Sequence, residues 1–252
     1  MKSIDIKTKN GFCDATIAFP PHAEPSKTYP GVLVLMDAPG PRQYLFEMIQ
    51  KLASHGFIVL LPNLFYLQKR APIIENLNFP LKPEDMVLAR SQFMPLLQNY
   101  NLSAGLDDIG FFLNYLSEQK SFNGKIGVTG YCMGGPLALR AAAKYPDLVQ
   151  ATASFHGGHL ASDAADSPHT QLAQLKSRLY VAHADNDASM PPEHIERFKQ
   201  ALAKTSIQAK AELYSGAAHG FTMADLPAYN QAALQRHWIE LLELFSILKS
   251  SN

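Results

Sequence analysis

Ile126-Gly127-Val128-Thr129-Gly130-Tyr131-Cys132-Met133-Gly134-Gly135-Pro136-Leu137-Ala138-Leu139-Arg140-Ala141-Ala142 is the stretch on which the reading of this chain turns. Its first four residues read as an apolar strand, and its last six as a helix of small residues. Between them Gly130-x-Cys132-x-Gly134 has the form of a nucleophile elbow. In such a strand-to-helix turn, small flanking residues let the backbone bend sharply and hold the central side chain exposed and strained. The central residue here is a thiol. The following helix N-terminus aims partial positive charge and free N–H groups at the sulfur, favouring the thiolate and any oxyanion formed by its attack. A buried structural cysteine in a glycine-rich turn is the plainer alternative, since free cysteine is among the most often buried side chains.

Working outward, strands and helices alternate as in a doubly wound α/β fold. Residues 3–9 and 14–19 read as a hairpin turning at Asn10-Gly11, which starts the sheet with antiparallel strands. The parallel part begins at Gly31-Val32-Leu33-Val34-Leu35-Met36 and continues at Phe57-Ile58-Val59-Leu60-Leu61, continuous apolar runs suited to strands buried on both faces. Later strands are expected at 125–129, 151–155, 178–183 and 210–214, with helices at 43–55, 102–118, 136–144 and 192–204. A last helix over 228–248 carries Leu234, Trp238, Leu241, Phe245 and Leu248 at spacings of three and four, a core-facing stripe. The long aromatic segment 62–83 fits no element and is expected to lie over the active site.

Composition narrows the functional classes. The chain has 252 residues, with Lys plus Arg and Asp plus Glu both at 22, so no net field draws it to nucleic acid or an anionic membrane. No stretch reaches the ~18 apolar residues of a membrane span, and the first residues alternate like a strand instead of forming a signal-peptide core. The expectation is one soluble, cytoplasmic, monomeric domain over residues 1–252. Its two cysteines, Cys13 and Cys132, are too few for a disulfide framework.

A nucleophile needs a base, and the base an orienting partner. His219 lies in the small-residue loop Ser215-Gly216-Ala217-Ala218-His219-Gly220-Phe221, after the last strand and before the final helix, where the nucleophile-acid-histidine order places the base. The acid is expected after the 178–183 strand, where Asp185 and Asp187 both stand. Spacing does not separate them. His55, His194 and His237 fall in helical stretches and read as surface or capping residues. His156, in Ser154-Phe155-His156-Gly157-Gly158-His159, ends a strand on the elbow's side and is expected to line the pocket. No Cys or carboxylate cluster at ligand spacing accompanies His156 and His159, so no metal is expected.

Along essentially its full length the chain resembles the dienelactone hydrolase family. The resemblance rests on Asn10-Gly11-Phe12-Cys13-Asp14-Ala15, Val34-Leu35-Met36-Asp37-Ala38-Pro39-Gly40, the cysteine-bearing elbow and Ala218-His219-Gly220-Phe221. It implies an α/β-hydrolase fold, a mostly parallel sheet with an N-terminal antiparallel hairpin and helices on both faces. It also implies a triad of Cys132, His219 and Asp187, because the family acid stands four residues before a proline, here Pro191; Asp185 is the second choice. Asp37 occupies the place of a family glutamate near the thiol, as a proton acceptor for Cys132 or, more plainly, a helix cap. The Ala38 and Met133 amides are the implied oxyanion hole.

One departure bears on substrate. Where dienelactone-cleaving members carry an arginine four residues after the histidine, this chain has Met223, leaving Arg42 and Arg90 as candidates to replace the charge. The implied function is hydrolysis of a small ester or lactone through an acyl-thioester intermediate, without cofactor, with dienelactone itself disfavoured. A thioesterase, a general carboxylesterase, or a non-catalytic thiol sensor or binding protein on the same fold are the alternatives.

Overall fold

The computed structural model describes residues 1–249; the last three residues of the expected 1–252 domain lie outside the described residues. Eight strands, β1 (Lys2–Lys7), β2 (Phe12–Ala18), β3 (Tyr29–Leu35), β4 (Ile58–Pro62), β5 (Phe122–Tyr131), β6 (Val149–Phe155), β7 (Arg178–Asn186) and β8 (Ala209–Ala218), form one sheet. Its order is β1-β2-β4-β3-β5-β6-β7-β8. β1 and β2 pair antiparallel, with Lys7 opposite Phe12 across the turn, and β2 pairs antiparallel with β4. All remaining pairings are parallel.

The described residues also form six α-helices: α1 (Gln43–Ser54), α2 (Met86–Gln98), α3 (Leu102–Ser117), α4 (Gly134–Lys144), α5 (Pro192–Leu202) and α6 (Gln231–Ser246). They cover both faces of the sheet. α1 meets α6 where Lys51 Nζ lies over the Trp238 ring, while α3 packs on α4. The central strands are accordingly buried from both sides: Val32, Leu33, Val34 and Leu35 are at most 1% exposed. Burying each such side chain contributes roughly 1.5–3 kcal/mol. α6 begins at Gln231, three residues later than the apolar stripe suggests, because the Asn230 side chain accepts from Ala233 N and caps it there.

Two features depart from the sequence expectation. α2 has no counterpart in it, since apolar Val87 and Leu88 face solvent and Pro95 sits inside the helix, which erases the usual periodicity. Residues 63–82 form no helix or strand, as anticipated, but roof a cavity of about 710 Å³ beside the β3–α1 loop. Pro39, Arg42, Phe46, Ile73 and Phe79 line that cavity, and Cys132, Asp187 and His219 do not.

The parallel strands all end at one edge of the sheet. Asp37 and Ala38 follow β3, Cys132 follows β5, His156 follows β6, Asp187 follows β7 and His219 follows β8. Residues far apart in sequence are thereby gathered at the carboxyl edge, where open α/β sheets bind their ligands.

Candidate active site

Cys132 sits at the turn from β5 into α4 with φ 53°, in the left-handed region that costs a side-chain-bearing residue energy. The turn is possible only with glycine beside it. A Cβ on Gly130 would lie 1.9 Å from the Gly134 carbonyl oxygen, and one on Gly134 2.2 Å from the Leu35 oxygen. The strain is held in place by bonds to the elbow backbone. The Cys132 N–H donates to Phe155 O at 3.2 Å and to His156 Nδ1 at 3.1 Å, and Gly135 N donates back to Cys132 O. Cys132 is half-buried, whereas Cys13 is fully buried with its thiol against the Asp14 and Asn63 carbonyls. Burial pushes the Cys13 thiol pKa up, so that sulfur stays protonated and inert.

His219 Nδ1 lies 2.7 Å from Asp187 Oδ2, and its side chain is 31% exposed against 3% for Asp187. The other Asp187 oxygen accepts from Ser189 N at 2.9 Å and Ser189 Oγ at 2.6 Å, so the carboxylate is fixed on both sides. Asp185, which spacing left open, instead accepts from Gly216 N at 2.8 Å. Burial alone would lower the His219 pKa, but the charge on Cys132, hydrogen bonds to Asp187 and Cys132, and the Asp187 charge raise it to about 10. Burial opposes the Asp187 charge, yet the His219 and Ser189 hydrogen bonds hold its carboxyl below the usual range. The His219 ring thus has the Cys132 side chain and the Asp187 carboxylate as its two hydrogen-bond partners, and sulfur, imidazole and carboxylate form one connected line.

His156 is wholly buried behind this line, with φ 41°. Its Nδ1 accepts the Cys132 N–H, so its proton resides on Nε2, 2.7 Å from Thr222 Oγ1. Burial, followed by the neighbouring His219 and His237, drives its pKa well below the ordinary value. The ring stays neutral and joins the elbow to the loop that carries His219. His237, read from sequence as a surface or capping residue, is likewise buried, with Nε2 2.9 Å from the Tyr131 hydroxyl; it lies on the core face of α6.

Asp37 is 2% exposed, and its carboxylate is bound by Arg42, with Nη1 to Oδ1 at 2.6 Å and Nη2 to Oδ2 at 3.0 Å. Burial pushes its pKa up against the pull of Arg42. It does not cap α1, whose N-cap residue is Arg42. Ala38 follows directly, and neither its amide nor that of Met133 donates to a protein acceptor among the described residues. Arg42, a sequence candidate for substrate contact, also holds Asp225, while Arg90 is exposed on α2 and Met223 is buried. Asp225, Thr222 and Ser189 had no sequence signal, being single polar residues in loops, and only their contacts reveal them. Among the described residues no group of three or more His, Cys, Asp or Glu could hold a metal ion, and no helix is long and apolar enough to cross a membrane.

A Synechocystis sp. protein provisionally named carboxymethylenebutenolidase is 28% identical over 222 residues, covering 86% of this chain and 85% of that protein. Carboxymethylenebutenolidase 1 of Cupriavidus pinatubonensis is 26% identical over 223 residues, covering 87% of each. A Klebsiella pneumoniae structure provisionally called a dienelactone hydrolase superposes with a TM-score of 0.82 at 19% identity, covering 97% of both chains. The dienelactone hydrolase family model matches residues 14–248, and the chain belongs to that family of hydrolases.

Proposed function

We propose that the protein hydrolyses small uncharged esters or lactones, with Cys132 as nucleophile, His219 as acid and base, and Asp187 as the residue that orients His219. The observation that carries this reading is the connected line from the strained Cys132 through His219 to Asp187, with 2.7 Å between ring and carboxylate. The Cys132 sulfur forms a bond to the carbonyl carbon while the C=O π pair moves to oxygen, next to the Ala38 and Met133 amides. Collapse breaks the carbon–oxygen bond to the leaving group, which takes the proton from His219. A water then attacks the thioester, His219 accepts its proton, and the thiolate departs with the acid released.

The substrate class follows from the charges. Arg42 is engaged by two carboxylates, Arg90 faces solvent and Met223 is uncharged, which supports a substrate without a carboxylate. The relatives' name, carboxymethylenebutenolidase, denotes cleavage of a carboxyl-bearing lactone and favours lactones among acyl substrates, while the charges around this site favour ones without the carboxylate. The test is turnover of a small aryl ester and a panel of lactones and thioesters by wild type and Cys132→Ala. The expected result is complete loss in the variant, and in wild type a mass increase equal to the acyl group on Cys132. Equal turnover by Cys132→Ala overturns the assignment of the thiol as nucleophile, and reversible oxidation of Cys132 with no hydrolysis overturns the reading in favour of a thiol sensor.

A further inference from the structure

Arg42 stands between two loops that must act together. It is 6% exposed, and all five of its N–H donors are engaged. Nε and Nη2 hold Asp225 at 2.7 and 3.0 Å, Nη1 and Nη2 hold Asp37 at 2.6 and 3.0 Å, and Nη1 also donates to Gly40 O at 3.1 Å. Asp37 and Gly40 flank Ala38, whose amide is one of the two oxyanion donors. Asp225 is 183 residues away, on the segment that continues from His219. Its backbone is tied further, since Leu81 N donates to Asp225 O at 2.9 Å, and the neighbouring Thr222 O accepts from Tyr44 Oη of α1 at 2.8 Å.

We propose that Arg42 is a positioning residue that fixes the oxyanion loop in register with the histidine loop through two bidentate ion pairs. This deepens the thiol-hydrolase reading and rests on it. The cluster buries one cation with two anions, an arrangement that contributes little net stability because desolvation offsets most of the Coulomb attraction. Geometry is what it supplies. An oxyanion donor works only within about 2.7–3.1 Å of the developing charge, and a displacement of about 1 Å can cost on the order of 10²-fold in rate. The guanidinium is suited to this because its planar, five-donor fork can bind two carboxylates bidentately at once, which the three donors of a lysine ammonium cannot.

The experiment compares wild type, Cys132→Ala, Arg42→Lys and Asp225→Asn. The last keeps the side-chain volume and the Arg42–Asp37 pair, so it reports even if the lysine variant does not fold. Three readouts are taken: kcat and KM for a small aryl ester, inhibition by a small aryl aldehyde, and the rate of Cys132 alkylation by iodoacetamide. The aldehyde adds the thiolate to its carbonyl carbon and develops an oxyanion, which His219 protonates; iodoacetamide alkylation expels iodide and develops none. For folded Arg42→Lys and Asp225→Asn we expect kcat and aldehyde affinity to fall by on the order of 10²-fold while KM and the alkylation rate change less than about threefold.

Unchanged kcat and aldehyde affinity in folded Asp225→Asn protein, with wild type active, overturns the positioning role alone. So does a loss shared equally by ester turnover, aldehyde binding and alkylation, which would mark general disruption. A Cys132→Ala variant as active as wild type overturns the thiol-hydrolase reading itself, and the role of Arg42 with it.

Discussion

Two cysteines in one chain show how setting, not residue type, decides chemistry. Cys13 lies in β2 with no exposure and its thiol against two carbonyls, while Cys132 stands on a left-handed turn beside an imidazole. Much of this was legible, because Gly-x-Cys-x-Gly between an apolar strand and a small-residue helix leaves few other conformations. Spacing alone did not separate Asp185 from Asp187, since the choice depends on which carboxylate meets a ring 32 residues away; the family resemblance, through Pro191, was what favoured Asp187. The partner of Asp37 was hidden for a related reason: the sequence shows neither that Arg42 folds back onto it nor that Asp225 arrives from the far end of the chain. His156 gives a prediction at this scale. His156→Phe keeps the ring's bulk but removes one of the two acceptors for Cys132 N–H, leaving Phe155 O, and takes from the buried Thr222 hydroxyl its bond to the ring. Leaving buried groups unpartnered costs about 1–3 kcal/mol, so urea unfolding should show a loss in that range together with reduced ester turnover. Unchanged stability and turnover would mean the ring serves only as packing.

At the scale of elements, the strands and the long amphipathic helices were readable and the short or blurred ones were not. β3 and β4 are continuous apolar runs because both sheet faces are covered, and the Asn10-Gly11 turn announces the antiparallel edge. α2 escaped because Val87 and Leu88 point outward and Pro95 interrupts it, so neither period nor composition marks a helix. α6 was visible through its stripe, and that stripe is what docks it on the sheet. Phe245 lies edge-on to Phe57 with ring centroids 5.9 Å apart, and a Cβ on Gly127 of β5 would come within 2.8 Å of the Phe245 ring. Phe245→Ala therefore leaves a cavity against two central strands and should destabilise the protein by about 3–5 kcal/mol. The substitution lies away from the carboxyl edge, so the folded fraction should keep its KM; a denaturation midpoint equal to wild type would show that α6 is not held by this face.

For the whole molecule, the doubly wound sheet accounts for why a site assembled from five separate loops could be anticipated at all: parallel strands end on one edge, so each candidate had only to follow a strand. The net charge of zero says little about pH response, which is set by which groups are buried in one protonation state. Three histidines are held neutral in the fold. Burial lowers the pKa of His156 well below its ordinary value, that of His237 to about 3, and that of His183, with Lys199 assisting, to about 4. Below about pH 6.5 the unfolded chain takes up protons on these rings and the native state does not, so stability falls as pH drops toward 4, by about 1.4 kcal/mol per pH unit for each ring. His183 isolates the effect, because both of its ring nitrogens lack a hydrogen-bond partner among the described residues and its ring packs edge-on against Phe198. His183→Leu removes a titrating group without orphaning another. Denaturant unfolding between pH 6 and 4 should show the variant losing stability less steeply than wild type by about that slope, with the two curves converging toward pH 7 apart from a constant packing offset; parallel curves across the whole range would mean that His183 is not kept neutral by the fold.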